Sequence, residues 1–275
     1  MREYRAAVGA EFGTWHHGLI ARWWAEFNVA TPEEHAYFAA AIRKFGEPAL
    51  DLGCGTGRIL WPLLAEGLDV DGSDISADMI ALAQAEATRR GFNPRLSVQP
   101  MHELDLSRKY RTIYMEGAFG LGGRRDHDLE ALRRAHQHLE PGGALLITHQ
   151  NLPYDDDGPE WAKWLLVHRA DPPDEWPATG PRRKASDGDE LETLFRVAGL
   201  DPFAQNTTYE MRVRLWHDGQ IVKEEEHSLL INIYLVQEVL LMLDVAGFRD
   251  LVVENGYTGR KATADDGMLT FVARK

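Results

Sequence analysis

Three glycines at alternate positions, Gly53, Gly55 and Gly57, stand in the run Asp51-Leu52-Gly53-Cys54-Gly55-Thr56-Gly57-Arg58. Pro48-Ala49-Leu50 before it reads as a buried strand, and Ile59-Leu60-Trp61 after it opens a helix. A glycine-rich turn between strand and helix presents backbone N–H groups and a helix N-terminus to a ligand. Glycine is needed there because the backbone takes positive φ or approaches the ligand closely. Asp74 follows about 20 residues later, at the end of a second strand-like run, where nucleoside-binding folds hold a ribose diol. Glu116 follows one further strand candidate and His149 ends another, on the same edge. The first can hold an ammonium group or accept a proton, and the second titrates near neutral pH.

The spacing of the glycines restricts the ligand. A dinucleotide fingerprint counted from Gly53 needs a third glycine where Arg58 stands, and one counted from Gly55 needs it at Leu60. The Gly-Lys-Ser/Thr of a phosphate-binding loop is absent.

Several elements must position these residues. Residues 1–45 form a helical cap, with Leu19, Ile20, Trp23, Trp24 and Phe27 at helical spacing. Thr31-Pro32-Glu33-Glu34 starts a second helix there with a capping box. Residues 46–150 alternate strand candidates (Ala49–Leu52, Leu68–Asp71, Leu96–Gln99, Thr112–Met115, Ala144–His149) with helices at Thr56–Glu66, Ala77–Arg90 and Asp126–Leu139. That order predicts an α/β fold with a mostly parallel sheet and helices on both faces. Leu139-Glu140-Pro141-Gly142-Gly143 reads as a helix stop and turn. Residues 151–233 hold a proline-rich lid, with a short helix around Trp161–Val167, and then a β-hairpin. Tyr209, Met211, Val213 and Leu215 alternate with polar or charged neighbours up to Asp218-Gly219. A three-residue loop sets Arg214 opposite Glu224 and Arg212 opposite Glu226. Residues 234–275 supply a helix over Leu235–Ala246 and a terminal strand pair, Leu251–Val253 and Leu269–Ala273.

The pattern Asp-x-Gly-x-Gly-x-Gly at 51–57, with Leu-x-Pro-Gly-Gly at 139–143, resembles the class I methyltransferases that use S-adenosylmethionine. The resemblance implies a Rossmann-like, seven-stranded core, with the cap, lid and hairpin as additions that shape an acceptor pocket. It implies that Gly53, Gly55 and Gly57 lie against the methionine part of the cofactor and that Asp51 helps hold its amino group. Asp74 takes the ribose hydroxyls, and Ile75, Met101 and His102 flank the adenine. Many family members carry an acidic residue before the position of Met101; here it is Pro100, so Gln99, His102 or a backbone carbonyl must serve instead. The activity implied is in-line transfer of a methyl group to a small-molecule amine or hydroxyl, leaving S-adenosylhomocysteine, with Glu116 and His149 as candidate catalytic groups. Methylation of a protein or RNA, or non-catalytic cofactor binding, are the alternatives. Asn151-Leu152-Pro153-Tyr154 mimics an Asn-Pro-Pro-Tyr signature but follows the fifth strand rather than the fourth, so it reads as a loop.

Composition narrows the partners. A net charge of −13 disfavours a nucleic-acid substrate. The single cysteine, Cys54, excludes an internal disulfide and a cysteine-based zinc site. No metal is expected; His16 and His17 are adjacent but lack a third ligand. No apolar run reaches membrane-spanning length, and the N-terminus lacks a signal-peptide core, so the expectation is a cytoplasmic protein with no membrane partner. The hairpin is compatible with a homodimer.

Overall fold

The computed structural model describes residues 14–122, 124–150, 154–155, 158–159, 175–201 and 203–275. In chain order the elements are α1 (Gly18–Phe27), α2 (Pro32–Phe45), β1 (Ala49–Leu52), α3 (Leu60–Ala65), β2 (Val70–Asp74), α4 (Ala77–Arg90) and β3 (Leu96–Val98). A 3₁₀ turn at Met101–Glu103 precedes β4 (Tyr110–Met115), α5 (Arg125–His138), β5 (Leu139–Gln150), β6 (Tyr154–Asp155) and β7 (Gly158–Pro159). Then come β8 (Arg182–Lys184), β9 (Glu190–Asp201), β10 (Asn206–His217), β11 (Gln220–Asn232), α6 (Val236–Val245), β12 (Arg249–Asn255) and β13 (Met268–Arg274).

The main sheet has seven strands in the order β12-β13-β5-β4-β1-β2-β3. β1 to β5 run parallel, and β13 joins β5 antiparallel. The chain leaves β1 for β2 on one side and returns to β4 on the other, so a crevice opens at the carboxyl ends of β1 and β4. Period-two alternation divides the core. Leu50, Leu52, Ile113, Met115, Leu145 and Ile147 face α5 and α6. Ala49, Tyr114, Ala144 and Leu146 face α2, α3 and α4. Each large side chain buried this way contributes about 1.5–3 kcal/mol.

α2 has the expected capping box: the Glu34 N–H donates to Thr31 Oγ1, and the Thr31 N–H to Glu34 Oε2. Three readings are corrected. The helix after the glycine turn starts at Leu60, not Thr56, because Gly57 has φ +89° and interrupts helical dihedrals. β5 starts at Leu139, because Leu139 pairs with Tyr110 and Pro-Gly-Gly forms an irregular stretch before Ala144 pairs with Thr112. The hairpin belongs to a four-stranded antiparallel sheet, β11-β10-β9-β8. Arg214 does face Glu224, and Arg212 faces Glu226. The spacing comes from a two-residue turn, Asp218-Gly219 with both φ positive, plus a bulge beside Leu215.

This second sheet packs Leu191, Met211, Val213 and Leu229 against Trp15, Leu19 and Ile20 of the α1 region. The helix expected over Trp161–Val167 and the loop Asn151–Pro153 lie outside the described residues. Among the described residues no helix is long and apolar enough to cross a membrane.

Candidate active site

A cavity of about 190 Å³ opens in the crevice at the carboxyl ends of β1, β2 and β4. Of the residues singled out in the sequence, Gly53, Gly55, Asp74, Ile75, Met101, His102 and Glu116 all line it. The turn fits tightly beneath it. The N–H groups of Gly53 and Cys54 both donate to the Ser73 carbonyl, at 2.7 and 3.0 Å. Gly53 has φ +90°, and a Cβ there would fall 2.5 Å from Ala118 Cβ and 2.7 Å from Met101 Cε. A Cβ on Gly55 would meet nothing within 4 Å.

Asp74 ends β2 with both carboxylate oxygens bound: the Gly55 N–H donates to Oδ2 and the Ser76 N–H to Oδ1, each at 2.8 Å. Burial pushes its pKa up, against the pull of those N–H donors. Ile75 beside it is 38% exposed, an uncovered apolar face next to the carboxylate. Across the cavity His102 stacks on His127 of α5, ring centroids 3.6 Å apart and planes 19° from parallel. Burial and the neighbouring His127 hold His102 below its ordinary pKa.

Three expected residues do not line the cavity. Asp51 lies behind the turn, 2% exposed, because β1 directs it toward the Tyr114 side of the sheet. Burial pushes its pKa up to about 8, opposed by Arg58. Gly57 sits under the Trp61 ring, 2.4 Å from where its Cβ would be. His149 shares a face of β5 with Ile147, and its Nε2 pairs with the Tyr234 carbonyl at 2.9 Å. Burial lowers its pKa.

Glu116 is turned to the other face, into a polar cluster built from distant segments. Arg58 Nη2 donates to Glu116 Oε1 at 2.9 Å, and Arg58 Nη1 donates to Glu34 Oε2 at 2.7 Å. The Tyr257 hydroxyl lies 2.8 Å from Glu116 Oε1 and 3.2 Å from Glu34 Oε1. Burial raises the Glu116 pKa, against Thr148, Tyr257 and Arg58. Sequence reasoning used Arg58 only to exclude a dinucleotide motif, treated Glu34 only as a cap, and passed over Tyr257.

The cavity's outer wall comes from the N-terminal cap: Thr14, His16, Trp24 and Asn28. The His16 ring is wedged between Thr14, 2.7 Å from Nδ1, and the Trp15 indole N–H, 3.1 Å from Nε2. Burial, with His17 adding to it, pushes its pKa down to about 4. Asp128 of α5, another liner, accepts from Asn232 at 2.6 Å and from Tyr234 at 2.7 Å. Among the described residues no group of three His, Cys, Asp or Glu side chains could hold a metal ion.

Comparison with known proteins is consistent with this arrangement. Residues 49–143 match the family described as "Methyltransferase domain". A Streptomyces fradiae protein named dTDP-3-amino-3,6-dideoxy-alpha-D-glucopyranose N,N-dimethyltransferase is 33% identical over 119 residues, 42% of this chain and 45% of the relative. The chain spans less than half the length of the curated relatives it matches. Among solved structures, an S-adenosylmethionine-dependent methyltransferase from Clostridium acetobutylicum superposes with a TM-score of 0.69 at 15% identity, covering 93% of this chain and 97% of that one. An amino pentose methyltransferase from Micromonospora echinaspora, solved with S-adenosylmethionine bound, gives 0.63 at 20% identity, covering 95% and 98%. At these identities the two structures establish a shared fold.

Proposed function

We propose that the chain, whose residues 49–143 match the methyltransferase-domain family, is a class I S-adenosylmethionine-dependent methyltransferase and that it methylates a small-molecule amine. The observation that carries the reading is Asp74, a carboxylate held by two backbone N–H groups at the floor of the cavity, beside the open side of Gly55. These residues fit the cofactor. Asp74 would hold the ribose hydroxyls through charge-assisted hydrogen bonds. The Gly53–Gly55 backbone would lie along the methionine part, with no side chain at Gly55 to obstruct it. Ile75, Met101 and His102 would enclose the adenine with apolar and aromatic surface.

When bound, S-adenosylmethionine supplies an electrophilic methyl carbon that a lone pair displaces in line, leaving S-adenosylhomocysteine. The chain has to bind, align and exclude water. Thr14, His16 and Trp24 line one wall of the cavity. Glu116, on the same cavity, would orient an amine acceptor and receive its proton. The N,N-dimethyltransferase name of the Streptomyces fradiae relative supports that choice of acceptor.

Calorimetry with S-adenosylmethionine and S-adenosylhomocysteine tests the cofactor assignment. Both should bind, and Asp74→Ala should weaken binding by about ten-fold or more, since hydrogen bonds to a charged group are worth about 1.5–3 kcal/mol. Absence of binding by the unaltered protein overturns the assignment. A methyl-label screen across amines, sugars, phenols and acids, read by mass spectrometry, tests the acceptor. Label appearing only in protein or RNA overturns the small-molecule reading.

A further inference from the structure

We infer that Tyr257 and Arg58 are positioning residues that fix one oxygen of Glu116 and leave the other for the acceptor. The inference rests on the reading of Glu116 as the residue that meets the amine.

Glu116 follows β4, its side chain 9% exposed. Oε1 is held twice, by Tyr257 at 2.8 Å and by Arg58 at 2.9 Å. Oε2 is buried and makes no hydrogen bond of ordinary geometry, although the residue lines the cavity. The Thr148 hydroxyl lies beside the carboxylate, but a buried oxygen without a well-formed hydrogen bond costs free energy, and an ammonium N–H arriving from the cavity would reduce that cost.

The two supports are not interchangeable. Arg58 reaches both Glu116 and Glu34 and offsets the repulsion between them. Tyr257 has one O–H and two carboxylate oxygens within reach. It donates to the nearer, Glu116, and its oxygen then faces Glu34. The aromatic ring is packed independently, 5.9 Å from Tyr37 and 6.1 Å from Phe38 between centroids. The charged and titratable groups facing Glu116 are Arg58, Glu34, Tyr257, Asp51 and Tyr114, with the Thr148 hydroxyl beside it. Burial disfavours its ionised form most, Thr148, Tyr257 and Arg58 favour it, and Glu34 opposes it.

The proton balance follows. The ammonium nitrogen gives one proton to Glu116 Oε2 and keeps the bonding electron pair as its lone pair. Glu116 becomes neutral while Tyr257 and Arg58 remain on Oε1.

The test is the titration of Glu116 itself in cofactor-free protein labelled with ¹³C at the glutamate carboxyl, its signal assigned with Glu116→Gln. Tyr257→Phe keeps the ring and loses the donor, and should move the titration to higher pH. Glu34→Gln removes the like charge and should move it to lower pH. With an amine acceptor, Tyr257→Phe should reduce kcat by on the order of ten-fold at the acid limb of the pH profile, with cofactor affinity changed less than about two-fold. A Glu116 titration unmoved in both folded variants, or moved the same way in both, overturns the inference; if Tyr257→Phe fails to fold, Glu34→Gln alone decides by its sign. Opposite shifts in a protein that methylates no amine would leave the cluster as described and overturn the acceptor reading instead.

Discussion

Asp51 and Asp74 lie at the carboxyl ends of neighbouring strands, yet their surroundings give them different work. Asp74 receives two backbone N–H groups at the edge of the cavity, whereas Asp51 is enclosed behind the turn. Burial pushes the Asp51 pKa from 3.8 up to about 8. Between those values the unfolded chain is ionised at this position and the folded chain holds a proton. Stability contributed here is therefore greatest in acid and falls as pH rises from about 4 to about 8. Asp51→Asn does not titrate, so melting temperature against pH should decline less steeply across that window. Parallel curves for the two proteins would show that Asp51 is ionised in the fold. At this scale the sequence is informative where a residue type has no substitute. Gly53 cannot carry a Cβ without a clash, and Asp74 offers a separate acceptor oxygen to each of the Gly55 and Ser76 N–H groups. Arg58, Glu34 and Tyr257 were not legible as a cluster because their meeting depends on α2, the turn and the β12–β13 connection converging.

Local elements were legible to the extent that local chemistry determines them. The Thr31–Glu34 capping box and the pairing of Arg212 with Glu226 and Arg214 with Glu224 could be read from short spacings. The bulge beside Leu215 could not, because a two-residue turn plus one extra residue gives the same pairing as a three-residue loop. β8 and β9 were missed for a related reason: their partner strands, not their own sequence, make them part of a sheet. The attachment of α1 is likewise a long-range event. The Leu19 N–H at its first turn donates to Glu225 Oε2 of β11 at 2.6 Å, and Leu19 is buried. Glu225→Ala leaves that N–H without an acceptor and should cost about 1–3 kcal/mol. The loss should fall on α1 first, so tryptophan emission should shift to the red, since Trp15, Trp23 and Trp24 pack in this cluster. Unchanged emission and unchanged stability together would mean that apolar packing alone seats the helix.

On the scale of the whole molecule, the cap joins the core and the second sheet beside the cavity. The Gly18 N–H donates to Asp78 at the start of α4, and the Ser76 hydroxyl to the His16 carbonyl, so the cap is fastened just beyond Asp74. α1 also lies on the second sheet, and Trp24 and His16 reach the cavity wall. Detaching the cap should therefore open the cavity wall, and the burial of His16 should make that detachment sensitive to pH. Burial lowers its pKa from 6.5 to about 4, so between those values the unfolded or detached segment takes up a proton that the seated one refuses. The seated state is fully favoured above about 6.5 and loses ground as pH falls toward about 4. Acidification from pH 7 to 5 should therefore shift tryptophan emission to the red and weaken S-adenosylhomocysteine binding before far-ultraviolet circular dichroism changes. His16→Phe, which cannot be protonated, should reduce both effects over the same range. If emission, binding and dichroism instead fall together, and equally in His16→Phe, the acid transition belongs to the whole fold and the cap has no separate equilibrium.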